Sequence, residues 1–190
     1  MKALAPGTLV ADRYKIIGML GRGGMGHVYR AEHLGLHKEV ALKVLGATGV
    51  DQLAARFERE AHAIARLDHP GCVRVLDYGA AGGAPYLAME LLEGPTLAAE
   101  LRARVVFSTA RAVAVARALL AALAHAHGRG VLHRDLKPDN VILAAGGARP
   151  VLIDFGLASV RDAGPLTASG MCIGSPSYIA PERLVGEPHT

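Results

Sequence analysis

His133-Arg134-Asp135-Leu136-Lys137-Pro138-Asp139-Asn140 puts a carboxylate, an ammonium group and an amide into one short loop, and Asp154-Phe155-Gly156 follows with a second carboxylate. That set suits a substrate that is a phosphate–metal complex. Asp135 can orient and deprotonate a hydroxyl nucleophile, and Lys137 can neutralise charge on a transferred phosphoryl group. Asn140 and Asp154 offer hard oxygen ligands to Mg²⁺ or Mn²⁺.

These motifs resemble those of the eukaryotic-type (Hanks-type) serine/threonine protein kinases, particularly the bacterial members. The resemblance implies a phosphate-covering loop upstream, then a lysine on a strand, then a glutamate on a helix. Leu20-Gly21-Arg22-Gly23-Gly24-Met25-Gly26-His27-Val28-Tyr29 supplies the loop, with glycines at 21, 23 and 26. Glycine lets backbone N–H groups approach phosphate oxygens with no Cβ in the way. Dinucleotide-binding turns use the same spacing but join a strand to a helix. Here both flanks look extended, which predicts a hairpin lid.

Glu39-Val40-Ala41-Leu42-Lys43-Val44 alternates like a short strand, with Lys43 on the face of Ala41. Taken alone, a strand lysine is as readily a solvated edge residue. The next helix changes that reading. Its apolar stripe runs Leu53, Phe57, Ile64 and Leu67 from a candidate N-cap at Asp51, and Glu60 lies on the stripe whereas Glu58 lies off it. A carboxylate on a buried helix face is costly unless a cation meets it. The resemblance makes Lys43 that cation, with the pair holding the lysine against the α- and β-phosphates of ATP. Gly174-Ser175-Pro176-Ser177-Tyr178-Ile179-Ala180-Pro181-Glu182 resembles the family's loop for a protein substrate. Lys137 and Ser175 fit its serine/threonine branch.

Composition narrows the classes. The 190-residue chain is 51% hydrophobic, enough to bury a sizeable core. Its net charge of +4 is scattered, aromatics make up 4% and tryptophan is absent, which argues against nucleic acid as a partner. Cys72 and Cys172 are too far apart to suggest a metal site or a disulfide framework, and both read as reduced thiols in a cytoplasm. Met1–Pro6 is too short for a secretory signal. The most apolar segment, from Ser108 to Arg129 with Gly128 and Gly130 as stops, is interrupted by Arg111, Arg117, His125 and His127. It reads as a core helix whose stripe Val113, Leu120 and Leu123 is buried, not as a membrane span.

The elements that must position these residues follow in an α+β order. Strands are expected within 14–44, a helix at 52–67, strands near 73–78 and 85–90, helices at 96–104 and 108–129, and short strands at 141–143 and 151–153. This implies a protein-kinase-like bilobal fold, with an antiparallel N-lobe sheet plus one helix, and a mainly helical, truncated C-lobe. The kinase catalytic domain would cover 9–190, with an N-lobe over about 9–89, a hinge at about 90–94 and a partial C-lobe from about 95. The resemblance places adenine hydrogen bonds at the backbone of Glu90 and Leu92, and Met89 at the back of the pocket. Leu20, Val28, Ala41 and Ile142 would enclose the ring, although each apolar residue also has a core-packing explanation. His133 would brace the catalytic loop.

Arg134 beside Asp135 implies control by phosphorylation of the segment after Asp154, with Thr167 and Ser169 as the sites. A homodimer would serve autophosphorylation in trans. Few residues follow Glu182, so the chain reads as the N-terminal part of a longer kinase whose remainder can carry a membrane anchor. Two classes are therefore weighed: an ATP-dependent Ser/Thr protein kinase acting on protein hydroxyls, and a non-catalytic nucleotide-binding module acting as a pseudokinase-like regulator.

Overall fold

The computed structural model describes residues 3–23, 26–46, 51–103, 106–155 and 178, with backbone alone at 51–56. Gly24, Met25, Gly156, Thr167, Ser169, Cys172 and 174–177 with 179–182 lie outside the described residues, as does the side chain of Leu53. The chain forms β1 (Leu9–Val10), β2 (Tyr14–Gly23), β3 (Gly26–His33), β4 (Lys38–Leu45), α1 (Asp51–Ala65), β5 (Val75–Ala81) and β6 (Ala84–Glu90). Then come α2 (Leu97–Ala103), α3 (Thr109–His127), β7 (Val141–Ala144) and β8 (Arg149–Leu152). The expected elements are all found in order, within a few residues of their expected ends.

Strands β1 to β6 make one antiparallel sheet in the order β1-β2-β3-β4-β6-β5. Period-two alternation gives it two working faces. On one, Tyr14 and Ile16, Tyr29 and Ala31, Val40 and Leu42, and Tyr86 and Ala88 form a closed cluster. On the other, Leu87 and Met89 meet Phe57 and Ala61 of α1. The α1 stripe is thus buried against the sheet, with Ile64 and Leu67 continuing into the next cluster.

A second, two-stranded sheet, β7–β8, carries the segments that flank Asn140 and Asp154. It is stitched to the segment between α1 and β5 by backbone hydrogen bonds: Val73 N–H donates to Leu152 O at 2.9 Å and Leu152 N–H to Gly71 O at 2.8 Å. Helix α3 starts where expected, with Ser108 Oγ accepting the Arg111 N–H at 3.3 Å. Its buried face agrees with expectation at Leu123, partly buried against the core, and differs at the other two stripe positions. Val113 and Leu120 are 51% and 64% exposed, while Val115, Ala122 and Ala126 are buried. The small side chains let the helix come close to the chain beneath it: a Cβ on Gly71 would stand 2.9 Å from the Ala122 Cβ. Close approach favours alanine here over the bulkier aliphatics. By length and composition α3 would also pass for a membrane span, with a mean hydropathy of 1.3.

Candidate active site

The glycine-rich segment is the β2–β3 hairpin, with Gly21 opposite Val28 and Gly23 opposite Gly26. Strand follows strand, as the extended flanks predict. Gly26 has a second duty, since a Cβ there would lie 2.2 Å from Val44 O. Only glycine allows β3 to meet β4 at that point.

Lys43 sits in β4 opposite Val28 and Leu87. It is 7% exposed, and its Nζ lies 2.8 Å from Asp154 Oδ1. Ala41 (β4), Leu92 (just after β6) and Ile142 (β7) are partly buried against one cluster that also contains Met89, so the structure brings these residues together. Val28 is partly buried on the hairpin above, while Leu20 is 51% exposed. Glu90 ends β6, and its amide donates to Arg74 O at 3.0 Å.

The loop between Val131 and β7 is fixed at both ends. His133 is buried, its Nε2–H donates to Ile153 O at 2.9 Å, and its ring stands 4.7 Å from that of Phe155. Burial pushes its imidazole below the ordinary 6.5, against the raising effect of that carbonyl, Asp135 and Asp154. At the other end a 3₁₀ turn over Pro138–Asn140 leads into β7, and Ile153 N–H donates to Asn140 O at 3.0 Å. Arg134 and Asp154 both take left-handed backbone, with φ of 62° and 61°. Such conformations cost on the order of 1 kcal/mol or more in residues with a Cβ and concentrate at working sites.

Between those ends, Asp135 Oδ2 accepts from Lys137 Nζ at 2.7 Å and from Asn140 Nδ2 at 2.9 Å, and Nδ2 also donates to Asp135 O at 2.8 Å. Both Asn140 N–H groups are thereby committed to Asp135, which leaves the amide oxygen as the atom offered outward. With Asp154 it makes a pair of hard oxygen donors. Among the described residues no three His, Cys, Asp or Glu side chains form a metal cage. Two protein oxygens suit Mg²⁺ or Mn²⁺ held jointly with phosphates, so the donor set fits that ion.

The Lys43–Glu60 pair expected from the resemblance is rearranged. Lys43 takes Asp154 as its counter-charge, and Glu60 Oε1 lies 3.7 Å from Arg134 Nη1. A buried ammonium needs a carboxylate at short range, and Asp154 supplies it at 2.8 Å. Nothing in spacing or periodicity signals the Glu60–Arg134 contact, which joins residues far apart in the chain. Glu58, expected to be solvated, is exposed and lies 4.0 Å from His62.

The sequence matches the family described as protein kinase domain over residues 14–190. It is 41% identical over 190 residues to serine/threonine-protein kinase pkn3 of Myxococcus xanthus, covering 95% of this chain and 35% of that protein. It is 40% identical over 176 residues to serine/threonine-protein kinase PknD of Mycobacterium tuberculosis, covering 92% and 26%. A DNA damage-responsive serine/threonine-protein kinase of Deinococcus radiodurans is 42% identical over 187 residues, covering 96% and 28%. The chain thus spans about a third or less of these curated relatives. Among solved structures, the kinase domain of Mycobacterium tuberculosis PknI superposes with a TM-score of 0.79 at 34% identity, covering 98% of this chain and 69% of that one.

Proposed function

The chain belongs to the protein kinase family, and from that premise we propose that it transfers the γ-phosphate of ATP to serine or threonine hydroxyls of proteins, its own Thr167 and Ser169 included. The observation that carries this reading is the Asp135 carboxylate, held by Lys137 and Asn140 within one loop, with Asp154 just beyond β8 holding Lys43. Asp135 orients the incoming hydroxyl and takes its proton. The hydroxyl oxygen bonds to the γ-phosphorus while the bond to the bridging oxygen breaks and ADP departs. Lys137 neutralises the moving phosphoryl group, and Lys43 faces the α- and β-phosphates under the Gly21–Gly26 hairpin. Glu90 and Leu92 offer backbone hydrogen bonds to adenine between Val28, Ala41, Leu20 and Ile142. Asn140 and Asp154 hold Mg²⁺ or Mn²⁺, which when bound screens phosphate charge.

Among the described residues, charged groups of the site meet as Lys43 with Asp154, Lys137 with Asp135, and Arg134 with Glu60. Phosphates and a divalent ion compete for two of those pairs, and a phosphate on Thr167 or Ser169 competes for Arg134. Release of Glu60 from Arg134 would return it to Lys43. Autophosphorylation in trans, through a transient homodimer, follows from this reading as the source of that phosphate. We assign the activity to the cytoplasm; there buried Cys72, its thiol pushed up to about 11 by burial, stays inert. A second reading, nucleotide binding without transfer, draws on the pairing of Glu60 with Arg134 in place of Lys43.

Transfer from labelled ATP–Mg²⁺ to the chain and to a basic protein separates the two. The expected outcome is transfer that Asp135→Asn abolishes while nucleotide binding stays near the parent's. Turnover undiminished in that variant would overturn the role of Asp135, and binding with no transfer in the parent would leave the second reading.

A further inference from the structure

Glu90 ends β6 at the hinge, and its two carboxylate oxygens go to two different passages of chain. Oε1 accepts the backbone N–H of Arg74 at 3.0 Å, beside the Glu90 amide that donates to Arg74 O at 3.0 Å. The residue leading into β5 is therefore gripped on both sides by one hinge residue. Oε2 lies 3.6 Å from Arg149 Nη2, the first residue of β8. That strand leads through Leu152 to Asp154, and its partner strand β7 carries Ile142. One side chain thus touches the hinge, the entry to β5 and the hairpin that forms the floor of the adenine pocket.

The plain alternative is a surface ion pair of little consequence, and at 29% and 39% side-chain exposure Glu90 and Arg149 would qualify for it. What sets this pair apart is the commitment of both oxygens together with the position of the same residue's backbone. We propose that Glu90 and Arg149 are positioning residues for adenine: they fix the six-stranded sheet against the β7–β8 hairpin, and so set the gap between Ala41 and Ile142. This rests on the ATP-binding reading above. Neither side chain touches the nucleotide; both act through the hinge backbone and the hairpin.

The test measures binding of adenosine and of ATP–Mg²⁺ to the 190-residue chain by competition with a fluorescent nucleotide. Glu90→Gln and Arg149→Ala are each expected to weaken both ligands about threefold, the size of a half-exposed ion pair. The double variant should bind no more weakly than either single one, and Arg149→Lys should bind like the parent. Glu90→Ala, which also strips the acceptor from Arg74 N–H, should weaken binding about tenfold. Equal loss for adenosine and ATP marks an effect at the adenine end, whereas Lys43→Met should weaken ATP alone. Parent-like binding by Glu90→Gln and Arg149→Ala, or losses that add in the double variant, would overturn the proposal and leave nucleotide binding intact. A parent that binds neither ligand would overturn the functional reading, and this one with it.

Discussion

His133 is buried at the start of the loop that carries Asp135, Lys137 and Asn140, and its position makes stability depend on pH. Its folded-state value lies below the ordinary 6.5 because burial outweighs the carbonyl of Ile153 and the carboxylates of Asp135 and Asp154. The unfolded chain therefore takes up the proton first, and stability that is full above about pH 6.5 falls as the pH drops through it. His125, lowered by partial desolvation and by Arg129 and His69, acts with the same sign. Urea midpoints measured between pH 7.5 and 5.5 should fall in the parent and fall less in His133→Asn, with the difference isolating His133; equal slopes would remove it as the cause. At this scale the sequence was most legible where function is local. Asp135, Lys137 and Asn140 share one loop, and their spacing alone already puts a carboxylate, an ammonium and an amide side by side. The partner of Lys43 was not legible, because Asp154 and Glu60 are both acidic and only the packed geometry decides which one reaches the ammonium.

Elements were legible where apolar periodicity is strong. Strands β4 and β6 and the α1 stripe at Phe57, Ile64 and Leu67 fall where alternation and helical spacing put them. The orientation of α3 was legible only at Leu123, because a pattern that ranks leucine and valine above alanine also puts Val113 and Leu120 inside. Close approach to Gly71 selects Ala122 instead. Gly94, expected within the hinge segment, lies against the main chain of β7. Its φ is 147°, and a Cβ there would stand 2.3 Å from Leu143 O. Gly94→Ala combines an unfavourable backbone with a clash against main chain, so a loss of about 3 kcal/mol is expected from the urea midpoint. A loss under about 1 kcal/mol would mean that the hinge shifts to accommodate it.

Across the described residues, two sheets with α1, α2 and α3 bring Lys43 of β4 to Asp154 just beyond β8. The bilobal α+β plan was readable from the order of elements; the outward display of apolar side chains on α3 follows from its packing. Val113 and Leu120 face outward on α3 and Val106 lies exposed just before it, whereas Ala122 is fully buried. Leu120→Gln should therefore leave the unfolding midpoint within about 0.5 kcal/mol of the parent, while Ala122→Leu should cost about 2 kcal/mol by overpacking. The reverse ranking would mean that α3 is rotated about its axis. Lys43 and Asp154, 111 positions apart, have one more consequence. As the chain leaves the ribosome, every strand of the large sheet is available once Glu90 has emerged, and N-terminal units fold first during synthesis. Asp154 has not yet been made, so the carboxylate then at hand for Lys43 is Glu60 of α1, whose partner Arg134 is also still to come. Translation thus sets the moment at which Lys43 can take Asp154 as its partner, once β8 has been made, and the ammonium is drawn into its final surroundings only then.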